Sequence, residues 1–88
     1  MDNILKKQLK SQAHHLSPVV LMGTKGLTEA IIAECDQALT THELIKIKIV
    51  SADKQEKLGI ATTLCQATHA ELIQTIGHVA VLYRKKPE

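Results

Sequence analysis

Eighty-eight residues make a single domain, long enough to fold without disulfide staples yet burying only about 60% of its unfolded surface. The 44% hydrophobic content is almost wholly Ile, Leu, Val and Ala, with Tyr83 the one aromatic residue, which excludes aromatic base stacking as a main source of affinity for any nucleic acid. The net charge of +2 hides an uneven distribution: residues 1–26 carry four lysines against one acid, whereas 27–43 carry four acids and no base, so one basic face is expected.

The first helix is predicted from Ile4 to His15, capped by Asp2 or Asn3, with Leu5, Leu9, Ala13 and Leu16 on its packing face. Lys6, Lys10 and His14 follow at four-residue steps on another side, with Lys7 beside them, forming a basic stripe. A solvated surface is the ordinary meaning of such a stripe; a second basic element in the next loop favours an anionic partner. His14-His15 has no carboxylate or cysteine at a triad or ligand spacing, so an acid-base or metal role has little to build on. One histidine is expected to pack at the helix end and the other to face the partner.

Pro18 to Glu29 reads as a short buried strand, a glycine loop and a helix start. Gly23, Thr24, Lys25 and Gly26 form the loop, and glycines permit a positive φ or close approach by a ligand backbone. Thr28 is placed to cap the second helix, with Leu27 and Ile32 positioned as a hydrophobic staple. A helix start carries unpaired N–H groups and partial positive charge, so with Lys25 beside it the loop suits a phosphate. GxxG alone is a weak signal. The KH loop of that form joins two helices, a Walker motif needs four residues between its glycines, and a dinucleotide fingerprint needs a third glycine.

The second helix, Glu29 to His42, turns Ile31, Cys35, Ala38 and Leu39 inward and Glu34, Asp36 and Gln37 outward. Leu44 to Val50 alternates as a strand with Ile45, Ile47 and Ile49 on one face and Lys46 and Lys48 on the other, which reads as an open sheet face. Asp53 and Glu56 resemble a capping box that starts a third helix burying Leu58, Ala61, Leu64 and Cys65. Cys35 and Cys65 have no metal-type spacing, so buried free thiols are expected. Leu72–Ile76 and Val79–Tyr83 are two further strands, joined at Gly77-His78 in a tight hairpin. Arg84-Lys85-Lys86 closes the chain with three bases. The order is αβαβαββ, and right-handed crossovers place the latter two helices on one side of the sheet.

Ala13-His14-His15-Leu16, Pro18-Val19-Val20, the Gly23-x-x-Gly26-Leu27-Thr28 loop, Glu43 to Lys48, and Gln74-x-Ile76-Gly77 followed by Val81-Leu82-Tyr83-Arg84 together resemble the YhbY family. These are stand-alone bacterial versions of the CRM domain, named for chloroplast RNA splicing and ribosome maturation, and nearly the whole chain is covered. The resemblance implies an α+β fold like the C-terminal domain of bacterial translation initiation factor three, with an extra N-terminal helix, a four-stranded mixed sheet in order 1-2-4-3 and helices mainly on one face. It also implies binding of structured RNA, in particular ribosomal RNA of large-subunit precursors, by Gly23, Thr24, Lys25 and Gly26 with the basic helix residues Lys6, Lys7 and Lys10. To these we add His14, Lys46, Lys48 and Arg84 as candidate RNA-binding residues. Two departures stand out: His69 replaces a glycine frequent after the third helix, and His78 replaces a lysine frequent in the hairpin. The first implies a strained helix end, the second a less basic hairpin.

No enzyme activity and no cofactor are expected. The rival readings are a protein-interaction module using the acidic second helix and a small enzyme using His14 or His15. No apolar run approaches the ~18 residues of a membrane span and no leader is visible, so a soluble cytoplasmic monomer that does not engage membranes is expected.

Overall fold

The computed structural model describes residues 2–23, 25–50 and 53–86, so Thr24 lies outside the described residues. Helix α1 (Asn3–Ala13) is followed by strand β1 (Val20–Met22), helix α2 (Glu29–His42), strand β2 (Leu44–Ile49), helix α3 (Lys54–Thr68) and strands β3 (Glu71–Ile76) and β4 (Val79–Tyr83). The sheet order is β1-β2-β4-β3, with β1 parallel to β2 and both remaining pairs antiparallel. Fold class and element order are as expected.

Local chemistry sets the helix starts. The Ile4 N–H donates to Asp2 Oδ1 at 2.9 Å, the Ile31 N–H to Thr28 Oγ1 at 3.2 Å and the Glu56 N–H to Asp53 Oδ1 at 2.8 Å, so each cap satisfies a first-turn donor that the helix cannot. Helix α1 ends two residues earlier than expected, with His14 as its C-cap. At the hairpin, Gly77 takes φ +56, the left-handed value that a first turn position of this kind requires.

Both crossovers, β1-α2-β2 and β2-α3-β3, step the same way across the sheet, so one handedness puts α2 and α3 on the same face. There Ile45, Ile47 and Ile49 are at most 1% exposed and pack in one cluster with Cys35 and Leu39 of α2 and Ala61 and Leu64 of α3. Both cysteines are buried free thiols, and burial chiefly pushes each up from the ordinary 9.0 to about 11.

The opposite face is not open throughout, as the alternation of β2 suggested. Leu9 and Ala13 of α1 pack there with Leu44, Ile73, Val81 and Tyr83 in a second, smaller cluster. β3 serves both layers through its ordinary alternation, with Leu72 in the first cluster and Ile73 in the second, and a register shift follows between Leu72 and Gln74. Leu5 and Leu16, assigned to the packing face of α1, are instead 37% and 39% exposed, because the helix is buried only at Leu9 and Ala13 in its C-terminal half and Leu16 lies past its end.

Three further expectations are corrected. β1 is an edge strand, and its middle residue Leu21 is 61% exposed, since only alternate side chains reach the α2–α3 core. In α3 the buried phase is Lys57, Ala61, Leu64, Cys65 and Thr68, leaving Leu58 outside. Lys57 is only 8% exposed, which a lysine tolerates because its aliphatic stem can be buried while the ammonium reaches water. Finally, His14 and His15 are both exposed, their rings edge-on with centroids 5.8 Å apart, so neither packs in the core.

Among the described residues, two that are not glycine hold positive φ. Glu43 (φ +63, ψ −47) is the sole link between α2 and β2, and such a short connection forces an unusual backbone there. His69 (φ +57, ψ +36) caps α3 in the left-handed conformation that glycine would adopt without a Cβ penalty, which is the strain its identity implied.

Candidate functional site

The loop is built by the end of β1 and the start of α2. After Met22, whose carbonyl accepts the Val50 N–H at 3.1 Å, the chain turns so that the Gly26 N–H donates to the Gly23 carbonyl at 3.1 Å. Gly26 sits at φ +72, a conformation costly for any residue with a Cβ, so glycine is required here by the turn itself. A Cβ at Gly23 or at Gly26 would meet nothing within 4 Å, so the outer side of the turn is open to an approaching ligand. Gly23, Lys25, Gly26, Thr28, Ala30 and Ile31 line a cleft of about 360 Å³. The positive end of α2 contributes to it, and the exposed Glu29 in the first turn offsets part of that charge.

A second basic feature lies on α1. Asn3, Ile4, Lys6, Lys7 and Lys10 line a groove of about 420 Å³. Lys7 and Lys10 are exposed and Lys6 is half-buried; His14 is exposed at the far end of the helix. None of the four makes an ion pair with an acid among the described residues. Loop cleft and α1 groove share no lining residue, so the two basic elements form separate patches rather than one pocket.

Lys46 and Lys48 point to the α1 side of the sheet, since Ile45, Ile47 and Ile49 occupy the other. They behave differently. Lys46 is half-buried and its Nζ donates to the Leu16 carbonyl at 3.0 Å, which pins the exit of α1 to β2. Lys48, one row further toward the loop, is exposed.

Arg84 is engaged within the fold. Its guanidinium donates to Asp36 Oδ1 at 2.5 Å, the Asp36 carbonyl at 2.9 Å, Thr40 Oγ1 at 2.8 Å and the Thr68 carbonyl at 2.8 Å. Those partners belong to α2 and to the end of α3, on the face away from α1. Four bonds from one planar fork fasten the end of β4 to both helices, a structural use of the charge. Sequence proximity to Lys85 and Lys86 suggested a basic tail, and a partner 48 positions away in the chain could not be read from it. Residues that sequence reasoning missed are Leu21 and Ile76, apolar side chains left 61% and 59% exposed near the loop end of the sheet. For Leu21, its place between the inward-facing Val20 and Met22 was the available signal.

Among the described residues, no group of three or more His, Cys, Asp or Glu side chains could hold a metal ion, and no helix is long and apolar enough to cross a membrane.

With this geometry in view, the comparison with known proteins is direct. The family model of the CRS1 / YhbY (CRM) domain matches residues 1–84. The chain belongs to that family. Among its relatives, a protein of Haemophilus influenzae named "RNA-binding protein" is 49% identical over 83 residues, covering 94% of this chain and 84% of that one. A Pseudomonas aeruginosa relative named as a probable RNA-binding protein is 43% identical over 83 residues, covering 94% of this chain and 80% of its own length. A Staphylococcus aureus protein described as a candidate RNA-binding protein has a solution structure that superposes with a TM-score of 0.88 at 35% identity, covering all of this chain and 92% of the other. The CRM fold therefore accounts for all seven elements, including the α1 layer that covers part of the second face.

Proposed function

We propose that this chain is a non-enzymatic RNA-binding protein that grips the phosphate backbone of structured RNA through the Gly23–Gly26 loop and the lysines of α1, on ribosomal RNA in large-subunit precursors. The same reading takes it to act as a monomer in the cytoplasm. The observation that carries it is the pairing of a glycine turn open to a ligand with lysines that no acid neutralises among the described residues. The names borne by relatives across the family point to the same ligand. With Tyr83 the one aromatic residue and packed against the α1 cluster, affinity must come from charge, backbone amides and shape.

Backbone contacts of this kind release counterions, so affinity falls with salt in proportion to the phosphates neutralised. Lys6, Lys7, Lys10 and Lys25 predict a log–log slope of roughly −3 to −4 in a filter-binding titration on a structured RNA. A flat response would sink the proposal. Association with large-subunit precursors is read separately, by following the protein through a sucrose gradient of cell extract with and without ribonuclease.

A further inference from the structure

The α1 side of the sheet is only partly covered. Along β2, Leu44 packs under α1 and Lys46 is tied to the Leu16 carbonyl just beyond that helix, but the next side chain on that face, Lys48, is exposed. Pairing places Leu21 of β1 beside Lys48, Val79 of β4 on its other side and Ile76 of β3 beyond Val79. Directly paired residues share a face, so Leu21, Lys48, Val79 and Ile76 form one row across all four strands, about 14 Å long at the usual strand spacing. Leu21 and Ile76 are 61% and 59% exposed, and Val79 is half-buried. Gly23 follows Leu21 by two residues, so the row runs between the sheet area that α1 covers and the glycine loop.

We infer that this row is a platform for an unpaired nucleotide, so that the protein selects structured RNA carrying a bulge or loop over a continuous duplex. The inference rests on the RNA-binding reading proposed above and names the class of RNA that the same surface takes. Gly23 lies two residues beyond Leu21, so RNA bound at the loop lies beside the row. The charge at its centre is complementary to phosphate, and no carboxylate lies in it. A second copy of the chain fits poorly, because a two-fold contact through the row would bring the Lys48 side chains together. A continuous A-form duplex presents phosphates, ribose hydroxyls and a shallow minor groove, none of which repays burial of Leu21 and Ile76. An unpaired base has two apolar faces, and laying one on aliphatic side chains removes both from water while Lys48 reaches the adjoining phosphate. Aliphatic groups offer no hydrogen-bonding code, so the platform accepts any of the four bases.

The test uses one RNA hairpin as a continuous duplex and the same hairpin with a two-nucleotide bulge, titrated by fluorescence anisotropy at physiological salt. The wild-type protein is expected to bind the bulged form about fivefold tighter, on the order of the apolar area that one base removes from water. Leu21→Ser with Ile76→Ser should abolish that preference and leave duplex affinity unchanged, and both sites are exposed enough for the variant to fold, as circular dichroism checks. Lys10→Glu should weaken both RNAs and keep their ratio. Equal wild-type affinity for the two RNAs, or a preference that survives the double substitution, overturns the platform while leaving backbone binding intact and points the row toward a protein partner. Failure to bind either RNA contradicts the RNA reading itself, and the platform with it.

Discussion

The two faces of the sheet put the same strand to opposite uses. Toward α2 and α3, β2 contributes Ile45, Ile47 and Ile49 to a dry core closed at the end of β4 by Arg84. Toward α1 it contributes Leu44 to a smaller cluster, then Lys46 as a pin and Lys48 as an exposed cation. The lesson is that in 88 residues the stabilising face and the proposed contacting face are separated by the pleat of single strands rather than by domains. Substitutions one residue apart should therefore affect different properties.

The largest effect is expected from Ile47→Ala, which removes a fully buried side chain and should cost about 3 kcal/mol in urea unfolding. Its neighbour Lys48→Ala should change stability by less than about 0.5 kcal/mol. Similar losses would erase the distinction between faces.

Alkaline pH probes the core side next. Each buried thiol titrates near 11 in the folded protein against 9.0 when unfolded, so above pH 9 the unfolded chain releases its protons first and stability falls until about pH 11. The loss is roughly 1.4 kcal/mol per thiol by pH 10. Denaturation midpoints measured from pH 8 to 11 should decline more steeply in the wild type than in a Cys35→Ala, Cys65→Ala double variant, and parallel curves would show that the thiols are not responsible.

Arg84→Ala should cost about 2 kcal/mol, because the Thr68 and Asp36 carbonyls lose a charged donor. Affinity for RNA should be unchanged. A folded variant with weakened binding would return Arg84 to the contacting surface. His69→Gly should stabilise the protein by about 1 kcal/mol in thermal unfolding by relieving the left-handed cap of α3, again with no effect on binding. Destabilisation there would mean that the His69 side chain supplies a contact worth more than its strain.

The parts legible in the sequence were those governed by nearby residues. Thr28 and Asp53 marked helix starts because a cap needs only the next three positions, and Gly77 marked the hairpin because its turn needs a positive φ. The alternation in β2 disclosed two faces but not what covered them, since α1 reaches Leu44, Val81 and Ile73 from distant parts of the chain. Lys57 took the inward place expected of Leu58 because helical phase outweighed side-chain polarity. At the site, the loop and the α1 lysines stood out by local pattern, whereas the pinning of Lys46 and the strap at Arg84 depend on partners 30 and 48 positions away. The acidic second helix, a rival contact surface, is altered by the same long-range pairing, because Asp36 is engaged by Arg84.

The central claim is that binding is localised on the α1 side and does not follow net charge. Lys10→Glu and Glu34→Lys test it together, since both residues are exposed and the two reversals change total charge by the same magnitude in opposite directions. Lys10 lines the basic groove, while Glu34 lies on α2, which packs on the other face of the sheet. In an RNA titration at physiological ionic strength, Lys10→Glu should lower affinity on the order of tenfold. Glu34→Lys should raise it by less than about twofold, because beyond a Debye length of about 8 Å screening removes most of its influence. Equal and opposite shifts would contradict a localised face and leave diffuse attraction as the source of binding.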